Sequence, residues 1–202
     1  MDFYFFATLL IILAGAVLVF KPAAAKAHCD TMDGPTAKDG LQALESGNIN
    51  HALKWVEPQY EAELKDIFAL SRKVRTLGKD AQQLADRYFL ENLVRVHRAG
   101  EGEGFTGVKP HGVPMDAKVA AVDLSIHTGS FEPMKKLFSH EELPELENRF
   151  HEAMRLKQFD VDDVRAARAF IAAYVSYFKL AEGEEHAHGA HGHSAHSAHA
   201  GH

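Results

Sequence analysis

The sequence predicts an all-α protein, a compact helical bundle. Apolar residues recur at helical spacing through most of the chain, no alternating strand pattern persists, and no Asn-Gly hairpin signal occurs. The composition is that of a globular chain, since 46% of the 202 residues are hydrophobic and 25% are charged. A formal net charge of −6 argues against a nucleic-acid partner, because such proteins carry a concentrated basic face. The single cysteine, Cys29, excludes a disulfide framework and any multi-cysteine metal site.

The first segment of the chain predicts export. Residues 3–20 carry no charge and lead into an alanine-rich stretch, which is the pattern of a secretory signal peptide over residues 1–27 with Ala25 and Ala27 as the cleavage signature. The alternative is a retained membrane anchor, because about 20 apolar residues span a bilayer. We therefore expect a periplasmic or otherwise exported protein, or a membrane-anchored one. Cleavage after Ala27 makes His28 the first residue of the mature chain.

Helix start and stop signals place the elements of the first half. Leu41 and Leu44 predict a short helix that ends at a Ser-Gly stop signal, and residues 51–56 predict a second. Pro58 suits the first turn of a third helix running to about residue 76, and Asp80 is the expected N-cap of a fourth that ends near residue 99. The residues of the third helix expected to point inward are Leu64, Ile67, Phe68 and Leu70.

The second half repeats this pattern at a shift of 82 residues. The matches fall mainly on apolar and capping positions, so we predict two related three-helix units over about residues 36–99 and 115–181, within a helical domain of residues 28–182. Ser139 and Glu142 fit a capping box, and Asp160 is the expected N-cap of the last helix. Residues 100–114 contain five glycines and two prolines, which predicts a non-helical linker or functional loop. The matched pairs include Leu44 with Ile126, Gly47 with Gly129, Leu64 with Leu146 and Phe68 with Phe150.

The predicted mature N-terminus, His28-Cys29, concentrates metal-binding groups. A free amine, an imidazole, a thiolate and a backbone amide occur within two residues, and such a set chelates d-block ions with loss of protons. Thiolate and nitrogen ligands favour nickel, copper or zinc. We rank nickel or copper above zinc because the N-terminal amine and amide favour square-planar geometry. Asp30, Met32 and Asp33 are further candidate ligands. The alternative interpretation is an ordinary N-terminus that carries an exposed thiol.

The start His28-Cys29-Asp30, with Gly34 at the seventh mature position, resembles the nickel hook of nickel superoxide dismutase, a helical-bundle enzyme. The resemblance implies that His28 supplies the amine and imidazole and Cys29 the amide and thiolate. It also implies that the activity, if the protein is an enzyme, is that of a superoxide dismutase-like oxidoreductase. That family has a second cysteine at the sixth mature position, where this chain has Asp33.

A second resemblance covers nearly the whole chain and concerns an uncharacterised exported helical family. It rests on four segments of the sequence: HCDTMDGP, ALESGNINHALKWV, LVRVHRAGEGEGFTG and HTGSF. This resemblance implies export and a helical fold.

Polar side chains on the predicted fourth helix form another candidate site. Glu91, Arg95 and Arg98 share one helix face, and His97 lies on the neighbouring, more apolar face. Glu101 and Glu103 follow directly, and a buried histidine with a carboxylate binds metal or acts as an acid or base. The alternative is a surface ion-pair ladder with a structural histidine.

The remaining candidates are histidines. His51 and His127 lie near the two Ser/Thr-Gly turns and are either donors to the N-terminal site or structural residues. Residues 183–202 are histidines among Ala, Gly, Ser and Glu, a composition that predicts disorder without metal and binding of nickel, copper or zinc. The tail histidines are His186, His188, His191, His193, His196, His199 and His202.

These patterns predict an exported transition-metal-binding protein that handles nickel or copper, with zinc as a further option. Its metal sites are the His28-Cys29 terminus and the His-rich buffering tail. Two alternatives stay open: a metal-dependent oxidoreductase resembling nickel superoxide dismutase, and a helical scaffold that binds a protein partner. No nucleic-acid partner is expected, and a membrane is a partner only if residues 3–20 are retained.

Overall fold

The computed structural model describes residues 29–183, and this part of the chain is all-α, as predicted, with no β-strand. Within it no helix combines the length and apolarity that a membrane crossing requires. The predicted signal segment, His28 and the tail histidines lie outside the described residues. The helices are α1 (Pro35–Ser46), α2 (Asn50–Leu53), α3 (Glu61–Val74), α4 (Lys79–Gly100), α5 (Ala117–Thr128), α6 (Glu132–Lys135), α7 (Leu143–Leu156) and α8 (Val164–Glu182), with a 3₁₀ turn (Pro58–Tyr60) before α3.

The two halves of the bundle have matching helix boundaries. α1 and α5, α2 and α6, and α3 and α7 begin and end 82 residues apart, and α4 and α8 end 82 residues apart. Gly47 and Gly129 follow α1 and α5 with φ of 81° and 69°, a conformation that glycine adopts without a steric penalty. The same order of elements therefore occurs twice, and we call the two halves units; each has three long helices and a one-turn helix.

The correspondence extends to side-chain hydrogen bonds. Arg75, just after α3, donates to the carbonyl of Leu44 near the end of α1. Lys157, just after α7, donates to the carbonyl of Ile126 near the end of α5. Helical periodicity alone does not require a cation at this place, so the two units share a tertiary pattern as well as a sequence pattern.

Two helices begin at different residues from those predicted. The N-cap of α4 is Gly78, so Asp80 lies within the first turn, where its charge still interacts favourably with the helix dipole. The N-cap of α8 is Asp163, whose carboxylate accepts a hydrogen bond from the backbone N–H of Ala166. Asp160 lies in the preceding turn, and its carboxylate bonds a backbone N–H of that turn.

Two further expectations concern side chains on α3 and before α7. Leu70 was expected to point inward and is 53% exposed, because the buried stripe of α3 runs through Leu64 and Ser71. Consecutive residues lie about 100° apart around a helix, so Leu70 is turned away from that stripe. Glu142 does accept hydrogen bonds from the N–H and O–H of Ser139, at 2.8 and 2.7 Å. Ser139 is not the N-cap, however, because α7 begins at Leu143, three residues later than a cap at Ser139 predicts.

The core is formed where the long helices pack against α4 and α8. α1 and α3 pack against α4, and α5 and α7 pack against α8. Gly40 permits the close approach of α1 to α4, since a Cβ atom there would lie 2.6 Å from Leu90 Cδ2 and 2.8 Å from Leu93 Cδ2. Trp55 and Tyr174 meet edge to face between the two units, with ring centroids 6.1 Å apart.

The segment before α1 is held by the glycine-rich loop between the units. Lys109 donates its N–H to the carbonyl of Asp30 at 2.7 Å, and its own carbonyl accepts from Met32 N–H at 3.0 Å. These bonds form an isolated parallel bridge between residues 31 and 109. The loop therefore fixes the backbone next to Cys29.

Candidate functional site

Cys29 is buried, and this excludes the exposed thiol of the alternative interpretation. Its exposure is 8%, and it is a free cysteine. Burial raises the pKa of the Cys29 thiol far above its ordinary value, and the nearby carboxylates of Glu101 and Asp30 raise it further. In the absence of a bound cation the sulfur is therefore a protonated thiol.

Charged side chains surround Glu101 at the end of α4, next to Cys29. Glu101 Oε2 lies 3.0 Å from Arg98 Nη1 and 3.7 Å from His97 Nε2. Glu101 Oε1 lies 3.2 Å from Lys179 Nζ, and Arg98 Nε lies 3.7 Å from Asp30 Oδ1. We call this group the Glu101 cluster; its members are Asp30, His97, Arg98, Glu101 and Lys179.

Three buried polar atoms of the Glu101 cluster have no hydrogen-bond partner within residues 29–183: Asp30 Oδ1, His97 Nε2 and Arg98 Nε. His97 Nδ1 lies 2.9 Å from the carbonyl oxygen of Trp55. Because a carbonyl only accepts, Nδ1 carries the proton and Nε2 of the neutral ring carries a lone pair. Burial lowers the pKa of His97, so the ring is held in this neutral form. Nε2 thus presents a lone pair close to a carboxylate, an arrangement suited to a bound cation.

We expect the metal-free protein to lose stability as the pH falls below about 6.5, the ordinary pKa of histidine. Burial is the main cause that lowers the pKa of His97, so the unfolded chain binds a proton that the folded chain does not. Between the pKa of His97 in the unfolded chain and its lower pKa in the folded protein, the free energy of unfolding falls by about 1.4 kcal/mol for each unit by which the pH decreases. The measurement is urea unfolding with a chelator present, from pH 7.5 to 5.5.

The control for this prediction is His97→Asn, which can still donate to the Trp55 carbonyl but does not titrate. The part of the pH dependence of the unfolding free energy that comes from His97 should be absent in His97→Asn. The raised pKa of Asp30, caused mainly by burial, gives a contribution of opposite sign in both proteins. Equal slopes of unfolding free energy against pH in the two proteins would contradict the prediction.

The other predicted ligands next to Cys29 have different surroundings. Asp33 accepts hydrogen bonds from His111 Nδ1 and the N–H of Gly112, both at 2.7 Å. These bonds hold the pKa of Asp33 below its ordinary value. Met32 is half-buried and packs against the hydrophobic core. Of the candidate ligands after Cys29, Asp30 alone belongs to the Glu101 cluster.

The structure separates the residues of the predicted polar face on α4. Arg87 pairs with Glu91 at 2.9 Å on an exposed surface, and Arg95 pairs with Glu63 on α3. Arg98 turns inward to the Glu101 cluster. These side chains therefore form separate ion pairs.

The two isolated histidines also lie apart from the Glu101 cluster. His51 is half-buried on α2. His127 is exposed on α5. Within residues 29–183, no group of three or more His, Cys, Asp or Glu side chains is arranged to hold a metal ion. The described part of the chain thus offers the pair His97 and Glu101, with Cys29 adjacent.

An open cleft of about 620 Å³ lies between the two units, and the sequence did not predict it. Trp55 and Tyr174 line it, each held by a carboxylate. Trp55 Nε1 donates to Asp39 at 2.7 Å, and the Tyr174 hydroxyl donates to Asp123 at 2.7 Å. No local motif marks this cleft, because its walls come from both halves of the chain.

The fold and the site define a two-unit helical bundle with a buried charged cluster at the end of its fourth helix. The chain belongs to the family described as a family of unknown function (DUF6448), whose model matches residues 33–180. The match covers both units and the glycine-rich loop, and this confirms the resemblance to an uncharacterised family. No curated protein and no solved structure matches the chain, and the comparisons show no link to nickel superoxide dismutase.

Proposed function

We propose that the protein is an exported transition-metal-binding protein, with a site at His97 and Glu101 that the N-terminal residues complete. The observation that carries the proposal is the His97 ring, which donates Nδ1–H to a backbone carbonyl and presents Nε2 to Glu101 at 3.7 Å. Metal-ligating histidines nearly always donate their other ring N–H to a carbonyl or carboxylate. Adjacent ligands of one square-planar ion lie about 3.0 Å apart when each is about 2.1 Å from the metal, so His97 Nε2 and Glu101 Oε2 are within about 1 Å of that separation.

Cys29 supports the same proposal through its charge environment. Its thiol is buried beside Glu101 and Asp30, which oppose ionisation. A divalent cation reverses this balance, because it stabilises the thiolate and is attracted by the same carboxylates. His28 would add nitrogen ligands next to the sulfur. A set of nitrogen and thiolate ligands selects nickel, copper or zinc, and we rank nickel and copper first because the amine and amide favour square-planar geometry.

The test uses the mature full-length chain, in which Cys29 is the only thiol. We expect one tightly bound nickel or copper ion with a sulfur-to-metal charge-transfer absorption, which imidazole ligands of the tail do not produce. His97→Asn and Glu101→Gln should each weaken this ion by about 10–100-fold in chelator competition. The matched control is His127→Asn, an exposed histidine outside the cluster, and it should leave the affinity unchanged.

Two outcomes would contradict the proposal. One is a chain whose bound metal never shows the sulfur absorption, since Cys29 would then not be a ligand. The other is equal loss of affinity in the His97 and His127 variants, since the Glu101 cluster would then have no special role. Both outcomes are expected if the protein binds metal ions only weakly and only through the histidines of its tail.

A further inference from the structure

We infer that the open cleft between the two units binds a small organic anion that carries an aromatic ring. The cleft has a volume of about 620 Å³, which lies within the range of about 300–1,000 Å³ that is typical of small-molecule sites. None of the members of the Glu101 cluster lines it. The inference is therefore independent of the proposed metal site.

Aromatic side chains form the apolar wall of the cleft. Trp55 and Tyr174 meet edge to face there, and Phe170 stacks on Tyr174 with ring centroids 6.3 Å apart. Leu124 continues this wall and is 50% exposed, so part of its apolar surface is open to a ligand. Aromatic rings pack favourably against one another in stacked or edge-to-face contacts, so the wall suits a ligand with an aromatic ring.

The two carboxylates that line the cleft are bonded to donors of the cleft itself. Asp39 accepts from Trp55 Nε1 at 2.7 Å and pairs with Lys54 at 2.9 Å. Asp123 accepts from the hydroxyl of Tyr174 at 2.7 Å. The carboxylates therefore hold the aromatic wall in place, and Asp39 also neutralises Lys54.

Two further lysines give the cleft its positive charge. Lys38 and Lys157 line it from different units, and neither forms an ion pair within residues 29–183. Lys157 Nζ donates to the carbonyl oxygen of Ile126, and an ammonium group has three N–H donors. Because the cleft has three lysines and two aspartates, its net charge is positive. The lysines therefore favour an anion such as a carboxylate, which accepts hydrogen bonds from their remaining N–H groups.

The experiment compares three probes that share a benzene ring and differ in charge. They are phenylacetate, an anion; phenylacetamide, which is neutral; and phenethylamine, a cation. Equilibrium dialysis against the metal-free, mature full-length chain, with a chelator present, gives their affinities. Trp55 is the only tryptophan of the chain and lines the cleft, so a change in its fluorescence locates the bound probe. We expect phenylacetate to bind about tenfold or more tightly than either of the other probes.

Two double variants with the same change in charge test the role of the cleft lysines. One is Lys38→Gln with Lys157→Gln, and the control is Lys73→Gln with Lys136→Gln, two exposed lysines outside the cleft. Phenylacetate should bind about tenfold or more weakly to the first and within about twofold of its original affinity to the second. Phenylacetamide should bind all three proteins equally, which shows that the cleft is still formed. Lys38→Gln alone, at an exposed position, should keep the fold and still weaken phenylacetate binding severalfold.

Several results would overturn the inference. If phenylacetate does not bind the unaltered chain, or binds no more tightly than phenylacetamide, the cleft does not select an anion. If phenethylamine binds most tightly, the aspartates determine the charge of the ligand. If both double variants lose the same affinity for phenylacetate, the anion does not bind at Lys38 and Lys157. None of these results bears on the proposed metal site, because the chelator keeps the protein free of metal.

Discussion

Replacement of Trp55 by alanine is expected to lower the free energy of unfolding by about 3–5 kcal/mol, the range for loss of a buried aromatic side chain. Trp55 is 5% exposed, and its ring packs edge to face against His97 and Tyr174 with centroids 5.5 and 6.1 Å away. Its removal leaves a cavity between the two helical units and also leaves Asp39 without its indole donor. Urea unfolding of the metal-free protein, followed by circular dichroism, measures the loss.

The matched control for this prediction is Trp55→Phe. This variant keeps most of the ring contacts and loses the 2.7 Å bond from Nε1 to Asp39, so we expect a loss of about 1–2 kcal/mol. If the alanine and phenylalanine variants unfold at the same urea concentration, the ring does not support the contact between the units. The prediction would then be wrong.

Replacement of Glu101 by alanine is expected to lower the free energy of unfolding by about 3 kcal/mol, because it removes one partner of a buried ion pair. Glu101 pairs with Arg98 at 3.0 Å and with Lys179 at 3.2 Å, and the Arg98 side chain is only 10% exposed. The guanidinium would keep its low solvation and lose its closest carboxylate. The same urea unfolding, at pH 7.5 with a chelator, measures the effect.

Glu91→Ala is the control, because Glu91 lies on α4 and pairs with an exposed arginine. Exposed ion pairs contribute little to stability, so we expect the free energy of unfolding to change by about 0.5 kcal/mol or less. Similar losses for the Glu101 and Glu91 variants would show that the Glu101 cluster behaves as an ordinary surface network. Such a result would contradict the prediction that Glu101 stabilises the fold as one partner of a buried ion pair.

Much of the fold was predictable because its signals are local. These signals act through neighbouring residues. They are the spacing of apolar residues along each helix, the Ser/Thr-Gly stop signals at Gly47 and Gly129, and the glycines of residues 100–114. The repeat was visible for the same reason, since both units use these signals at matching positions. Helix starts were less predictable: Asp160 and Asp163 are both suitable caps, and only the packed geometry selects Asp163.

The sequence by itself determined the all-α class, predicted a repeat at 82 residues and marked Cys29 and His97 as residues of types that bind metals. Only the tertiary structure decided that Cys29 is buried, that Glu101 joins His97 to Lys179, and that α8 ends beside the thiol. Helical periodicity specifies which face of a helix is apolar, but it does not specify which distant segment covers that face. Those partners are selected by packing between residues that lie far apart in the chain.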